Sequence, residues 1–167
     1  TSYISHHTAM EYYGVSDQVF YDVYVSSKTK FRNFEFDGYT YHYVKPNLDE
    51  GVETPAFSGG IRITDRERTL TDCIKDMDRI GGIEETVAII DSLSNVSENK
   101  ILHYLSLYKN QFLYQKSGYL LWHCRNTLGL TDHFFSACRE HIGKSKRYLT
   151  ADMTKGVYIG EWNLVVP

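Results

Sequence analysis

Ile61-Arg62-Ile63-Thr64-Asp65-Arg66-Glu67-Arg68-Thr69-Leu70-Thr71-Asp72-Cys73 is where the chain changes period, and its reading decides the fold. Ile61, Arg62 and Ile63 read as a short strand. Thr64, with Glu67 three positions later, matches a capping box, Thr64 as N-cap and Glu67 at N3, so a helix starts there. Leu70, Cys73, Ile74 and Met77 then recur at spacings of three and four on one face, and Gly81-Gly82 end the element. Upstream of the switch the apolar residues mostly alternate; downstream they mostly follow a helical period.

Working outward, Val19, Tyr21, Val23 and Val25 alternate with Phe20, Asp22, Tyr24 and Ser26, which predicts a strand. Two more runs, Phe31 to Phe36 and Tyr39 to Val44, meet across Asp37-Gly38, whose tolerance of positive φ favours a type I′ hairpin turn. Before them, Tyr3 to Gly14 reads as a short helix with Ser5 as N-cap and Gly14 as the left-handed residue that ends it. Pro46, Gly51, Pro55 and Ser58-Gly59-Gly60 mark loops.

Downstream, a second helix of the block uses Ile83, Val87, Ile90 and Leu93 as its face, with Glu84 and Glu85 in the first turn where they complement the helix dipole. A third starts at Ser97, with Val96 and Ile101 placed as a hydrophobic staple, and continues through Leu102, Leu105 and Tyr108. Leu113 to Leu128, weakened at Gly118, and Thr131 to Ile142 complete the block. Arg147-Tyr148-Leu149 and Val157 to Val166 return to strand character. The expected fold is one α+β domain over residues 1-167, an antiparallel sheet packed against a block of about five helices, with the terminal strands returning to that sheet.

Composition narrows the class. A chain of 167 residues, 42% hydrophobic and 23% charged, is long enough to bury on the order of 70% of its unfolded surface and too apolar for a disordered tail. Its longest apolar runs, such as Val87 to Ile90, are too short to cross a bilayer. Cys73, Cys124 and Cys138 are an odd, unpaired-looking set that suits a reducing cytosol, and no leader opens the chain. The net charge of -3 gives no reason to expect nonspecific nucleic-acid binding from the whole surface. It is uneven: residues 1 to 60 hold four Lys/Arg against eight Asp/Glu, whereas residues 111 to 167 hold seven against four.

Few residues announce chemistry. His7 and Glu11, at i and i+4, are two metal ligands where a zinc site needs three or four. Cys124, His133, Cys138 and His141 have ligand atoms but no Cys-x-x-Cys spacing, and both cysteines fall on apolar faces. Cys73 has only Lys75 nearby to activate it. No nucleophile elbow, P-loop or dinucleotide fingerprint is present. Glu35 with Asp37, and Asp65 with Glu67, are spaced to hold a divalent cation for phosphodiester cleavage, although turn and cap chemistry explain Asp37 and Glu67. Tyr39, Tyr41 and Tyr43 share one strand face and suit a core, an interface or a base-stacking platform. Only Lys45 lies close to them in sequence, in a net acidic region, which argues against nucleic acid there. Arg62, Arg66 and Arg68 at the strand-to-helix junction, and Lys144, Lys146 and Arg147 after a helix, are the candidate anion- or nucleic-acid-contacting patches; a solvated loop and a capped helix whose arginines pair with Asp65, Glu67 and Asp72 explain the same residues equally well.

Tyr3-Ile4-Ser5-His6-His7-Thr8-Ala9-Met10-Glu11-Tyr12-Tyr13-Gly14 and the stretch from Ile61 to Cys73 together resemble the two signature stretches of the abortive-infection AbiE antitoxin family. The resemblance continues through Gly81-Gly82-Ile83-Glu84-Glu85, Gly118-Tyr119-Leu120-Leu121 and Arg147-Tyr148-Leu149, over nearly the whole chain. It implies a bacterial type IV toxin-antitoxin system linked to phage defence. In that family an N-terminal winged helix-turn-helix binds the operon's own promoter, and a C-terminal domain counters a nucleotidyltransferase-like toxin. On this resemblance the chain, which opens at Thr1 without the winged-helix segment, corresponds to the noncatalytic antitoxin domain. The resemblance implies that the parent is a transcriptional autorepressor; the cysteine usage, the short apolar runs and the incomplete ligand sets add the expectation of a cytoplasmic protein with no cofactor, no metal and no membrane partner. The residues themselves leave two rivals. One is a divalent-metal-dependent nucleic-acid-processing enzyme using the acidic pairs; the other is a stand-alone nucleic-acid-binding module using Arg62, Arg66, Lys144 and Arg147. They fix no oligomeric state.

Overall fold

The computed structural model describes residues 2–14 and 21–167. In chain order its elements are β1 (Tyr3–Ile4), α1 (His6–Tyr12), β2 (Asp22–Ser26), β3 (Phe34–Phe36), β4 (Tyr39–Val44), β5 (Val52–Glu53), β6 (Ile63–Thr64) and α2 (Arg66–Lys75). There follow α3 (Ile83–Asp91), α4 (Glu98–Tyr108), α5 (Gln111–Trp122), α6 (Arg125–Leu128), α7 (Asp132–Glu140), β7 (Arg147–Tyr148), β8 (Val157–Ile159) and β9 (Leu164–Val166). The class is α+β, as expected. Of the expected strand from Val19 to Ser26, Val19 and Phe20 lie outside the described residues.

Two strand-to-helix units stand side by side at the centre. β1 runs into α1 and β6 into α2, the strands pair in parallel at Ile4 and Ile63, and the helices pack on each other. Tyr3 and Ile4 therefore belong to the sheet and not to the expected helix, because their neighbours β2 and β6 supply backbone partners on both sides. The six-stranded sheet has the order β3-β4-β2-β1-β6-β5. It is mixed and not purely antiparallel. β3 and β4 form the expected hairpin, with Asp37 at φ 50° and Gly38 at φ 79°, the positive pair a type I′ turn needs. β4, however, lies parallel to β2, pairing Val23 with Tyr41 and Val25 with Tyr43. The connection over residues 27–33 is long enough to carry β3 past the open position, which β4 then fills.

Four local expectations are corrected. Thr64 is drawn into β6 opposite Val52, so the α2 cap passes to Asp65, whose carboxylate accepts the Arg68 N–H at 2.7 Å. The buried face of α3 is Thr86, Ile89 and Ile90, followed by Leu93, while Val87 is exposed. The helix expected over Leu113 to Leu128 is two, broken at His123 and Cys124. The terminal strands do not return to the first sheet: β7-β9-β8 is a separate three-stranded sheet, closed by β9.

One apolar cluster runs from Met10 in α1 to Val166 in β9. Leu70, Cys73, Ile74 and Met77, the face read from the sequence, lie within it at no more than 1% exposure. The C-terminal segment is fastened to α5. Gln115 donates to the Trp162 and Asn163 carbonyls, both at 3.0 Å, and the Trp162 ring lies where a Cβ on Gly118 would stand, 2.1 Å away. Gly118 is thus a packing requirement inside a helix. Among the described residues, no helix is long and apolar enough to cross a membrane.

Candidate functional site

The polar residues of α1 and α2 are mostly buried, and they are satisfied by one another. Arg68, 2% exposed, donates through Nε to both Asp72 carboxylate oxygens at 3.1 and 3.0 Å, through Nη1 to the Glu50 carbonyl at 2.6 Å, and through Nη2 to Tyr3 at 3.3 Å. Tyr108 donates to the same Asp72 carboxylate. Burial alone would lower the Arg68 pKa, but Asp72 outweighs it and holds the guanidinium charged. Asp65 caps α2 and also accepts from Tyr104 and from Lys100 at 3.0 Å. Glu67 accepts the Ser97 N–H at 2.9 Å at the start of α4, and that bond together with Lys100 outweighs burial and holds its carboxyl below the usual range.

These contacts decide where the expected site residues fall. Arg68 is enclosed, and Arg66 donates to the Ser94 carbonyl. Arg62 is half-buried beside Tyr3, Lys28 and Asp49, so the three arginines do not present one anion-binding patch. Asp65 and Glu67 are both engaged in caps and ion pairs. Glu35 and Asp37 are exposed at the hairpin tip. Lys144 and Lys146 are exposed, and the Arg147 guanidinium lies 4.1 Å from the centre of the Phe112 ring. Lys116, which the sequence did not single out, is buried over the same ring at 4.5 Å and donates to the Lys75 carbonyl at 2.9 Å; burial lowers its pKa to about 8. His7 donates to the Ile80 carbonyl at 2.7 Å. Cys73 and Cys138 are buried, Cys124 is half-buried and all three are free. Among the described residues no group of three or more His, Cys, Asp or Glu is placed to hold a metal ion.

A cleft of about 290 Å³ opens between α1, α2 and the sheet, lined by His6, Tyr24, His42, Asp76 and Arg79 among others. His6 stands at φ 54°, a left-handed backbone that costs a non-glycine residue about 1–2 kcal/mol. Its ring bonds hold it there, Nδ1 to Ser5 Oγ and Nε2 to Asp76, each at 2.8 Å. Burial would raise the Asp76 carboxyl, but His6 and Lys75 outweigh it and hold it well below the usual range. Ser5, His6 and Asp76 form a hydrogen-bonded line with the atom types of a nucleophile relay. Ser5, however, is 1% exposed and does not reach the cleft wall. Across the cleft, His42 stacks on Tyr24 at 5.1 Å and bonds Asp22 at 2.7 Å.

The cleft continues into a larger groove of about 750 Å³, the two sharing Asn33, Tyr43 and Arg79. The groove is lined by Lys30, Arg32, Lys45 and Arg79 with Phe31 and Tyr43, and it carries no carboxylate among the described residues. None of the four cations is in an ion pair among the described residues. Beyond it extends the tyrosine stripe. Register places Phe34 opposite Tyr41 and Phe36 opposite Tyr39, so both phenylalanines share the stripe's face; Tyr24 on the other face packs against His6 and His7. Tyr39, Tyr41 and Tyr43 thus form an open aromatic face, with Phe34 49%, Phe36 68% and Tyr21 64% exposed.

The geometry defines an α+β protein with a mixed sheet, a buried polar centre and an open aromatic-basic edge. No protein-family model and no curated protein matches the chain. Among solved structures it is similar to the RV2827C protein from Mycobacterium tuberculosis, with a TM-score of 0.68 at 15% sequence identity, over 99% of this chain and 62% of that chain. The likeness is one of fold. The chain spans less than two thirds of that protein.

Proposed function

We propose that this chain is a noncatalytic antitoxin domain of a bacterial type IV toxin-antitoxin system, acting in the cytoplasm against a nucleotidyltransferase-like toxin. Its parent protein, on this reading, also represses its own promoter through a winged-helix segment. One observation carries the reading: the two stretches that resemble the family's signatures form one physical unit. Ile4 pairs with Ile63, α1 packs on α2, and Tyr3 accepts from Arg68, while His6 donates to Asp76 just beyond the second stretch. Residues that make up the motifs are therefore used to build the centre of the fold, as expected of a scaffold whose action lies at its surface. The three free thiols are compatible with a reducing compartment.

The test is growth. Cells expressing the toxin encoded beside this gene are expected to recover when the chain is co-expressed. Failure to recover, both with this chain and with any upstream segment the gene encodes restored, overturns the reading.

A further inference from the structure

We infer that the groove and the β3–β4 aromatic face together bind single-stranded nucleic acid, with phosphates at Lys30, Arg32, Lys45 and Arg79 and bases against Phe34 and the tyrosine stripe. The inference does not depend on the antitoxin reading. It rests on two features that meet at Phe31 and Tyr43.

The first is charge. Four cations drawn from the 27–33 connection, the end of β4 and the turn after α2 line one groove without a carboxylate among the described residues. Cations gathered in this way repel one another unless an anion is bound between them. A chain of net charge -3 has acidic residues to neutralise them and, among the described residues, does not place one there.

The second is the aromatic surface beside it. The Phe34 and Tyr41 rings are stacked at 4.8 Å and 3°, and Phe34 is still 49% exposed. Phe31 meets Phe34 and Tyr43 edge-on at 5.8 and 5.3 Å, which joins the stack to the groove. Any base presents a π-face, so such rings hold unpaired bases with little regard to sequence. A duplex would supply the phosphates but keep its bases stacked internally, leaving the rings unused. A protein partner would suit the rings, but the centres of protein interfaces are depleted of lysine, and Lys30 and Lys45 stand at the junction. Only a single strand uses both features along one path.

The experiment is a fluorescence-anisotropy titration of the whole chain with labelled 12-nucleotide oligouridylate and oligothymidylate, a 12-base-pair duplex, and polyglutamate. Either single strand is expected to bind at least tenfold more tightly than the duplex or polyglutamate. The salt slope should be about -2 to -3, from roughly -0.7 per phosphate neutralised on a single strand. Arg32→Ala with Arg79→Ala should weaken binding and lower the slope by about 1.4, whereas Phe34→Ala should weaken it about tenfold and leave the slope unchanged. Circular dichroism of both variants should match the parent. No binding at low salt, equal binding of the duplex, or unchanged affinity in either variant would overturn the inference. Tighter binding of polyglutamate would assign the edge to an acidic protein surface instead. Toxin rescue is scored separately, so each reading can fail alone.

Discussion

The centre of the molecule and its β3–β4 edge are built from similar residue types and put them to opposite use. At the centre, Arg68, Asp72, Tyr108 and Tyr3 close on one another, and Asp65 and Glu67 each accept from several donors. At the edge, Lys30, Arg32, Lys45 and Arg79 have no ionic partner among the described residues, and Phe34 and Phe36 stand in water. A charge enclosed by its partners is committed to the fold, because removing one partner strands the other; a charge or ring left without one is available to something else. The contrast separates scaffold from surface more sharply than residue type does.

The separation breaks most visibly at Arg68. Replacing it by alanine leaves Asp72 buried without its cation, and chemical denaturation should register a loss of about 3–5 kcal/mol. A loss below 1 kcal/mol would mean that the centre is not the scaffold. Next in size is Gly118→Val, which drives a side chain into the Trp162 ring. It should cost about 1–3 kcal/mol and loosen the β7–β9 sheet first, a change visible in tryptophan fluorescence.

A smaller effect is expected at His7, whose pKa burial lowers below 6.5 although its bond to the Ile80 carbonyl opposes that. The unfolded chain therefore takes up a proton near pH 6.5 that the folded chain refuses, so stability contributed by neutral His7 is present above that pH and is lost as pH falls below it. His7→Gln should flatten this part of the stability profile; an unchanged profile would place the titration elsewhere. Smallest of all, the paired alanine substitutions at Arg32 and Arg79 should change stability by no more than about 0.5 kcal/mol.

Local chemistry made much of the fold legible. The type I′ turn at Asp37-Gly38, the Ser97 cap with its Val96 and Ile101 staple, and the α2 face from Leu70 to Met77 all depend on residues within a few positions of each other. What was hidden depends on partners distant in the chain. The parallel pairing of β2 with β4 is set by which strand fills a vacant edge, and the capture of Thr64 by the sheet depends on Val52. The site shows the same limit. In the basic junction of Arg62, Arg66 and Arg68, the pairing with Asp72 was legible because it lies four residues from Arg68, but the contacts with Ser94 and Tyr3, distant in the chain, were not.

The tyrosine stripe is legible in the sequence as one strand face, but the cations beside it are not, which in the sequence leaves a core or an interface as its use. Arg79, 36 positions beyond Tyr43, reaches the same groove only through the tertiary fold, from the turn after α2. One local signal exists: Lys28, Lys30 and Arg32 recur at every second position around Phe31, within a stretch of sixty residues that is acidic as a whole.

The division between scaffold and surface is tested most directly by measuring stability and oligonucleotide affinity on the same Arg32→Ala, Arg79→Ala protein. Its unfolding free energy is expected within about 0.5 kcal/mol of the parent, with at least a tenfold weaker grip on a single strand. A protein that lost more than about 1 kcal/mol of stability while binding as before would show the edge cations to be part of the scaffold, and the contradiction would be complete.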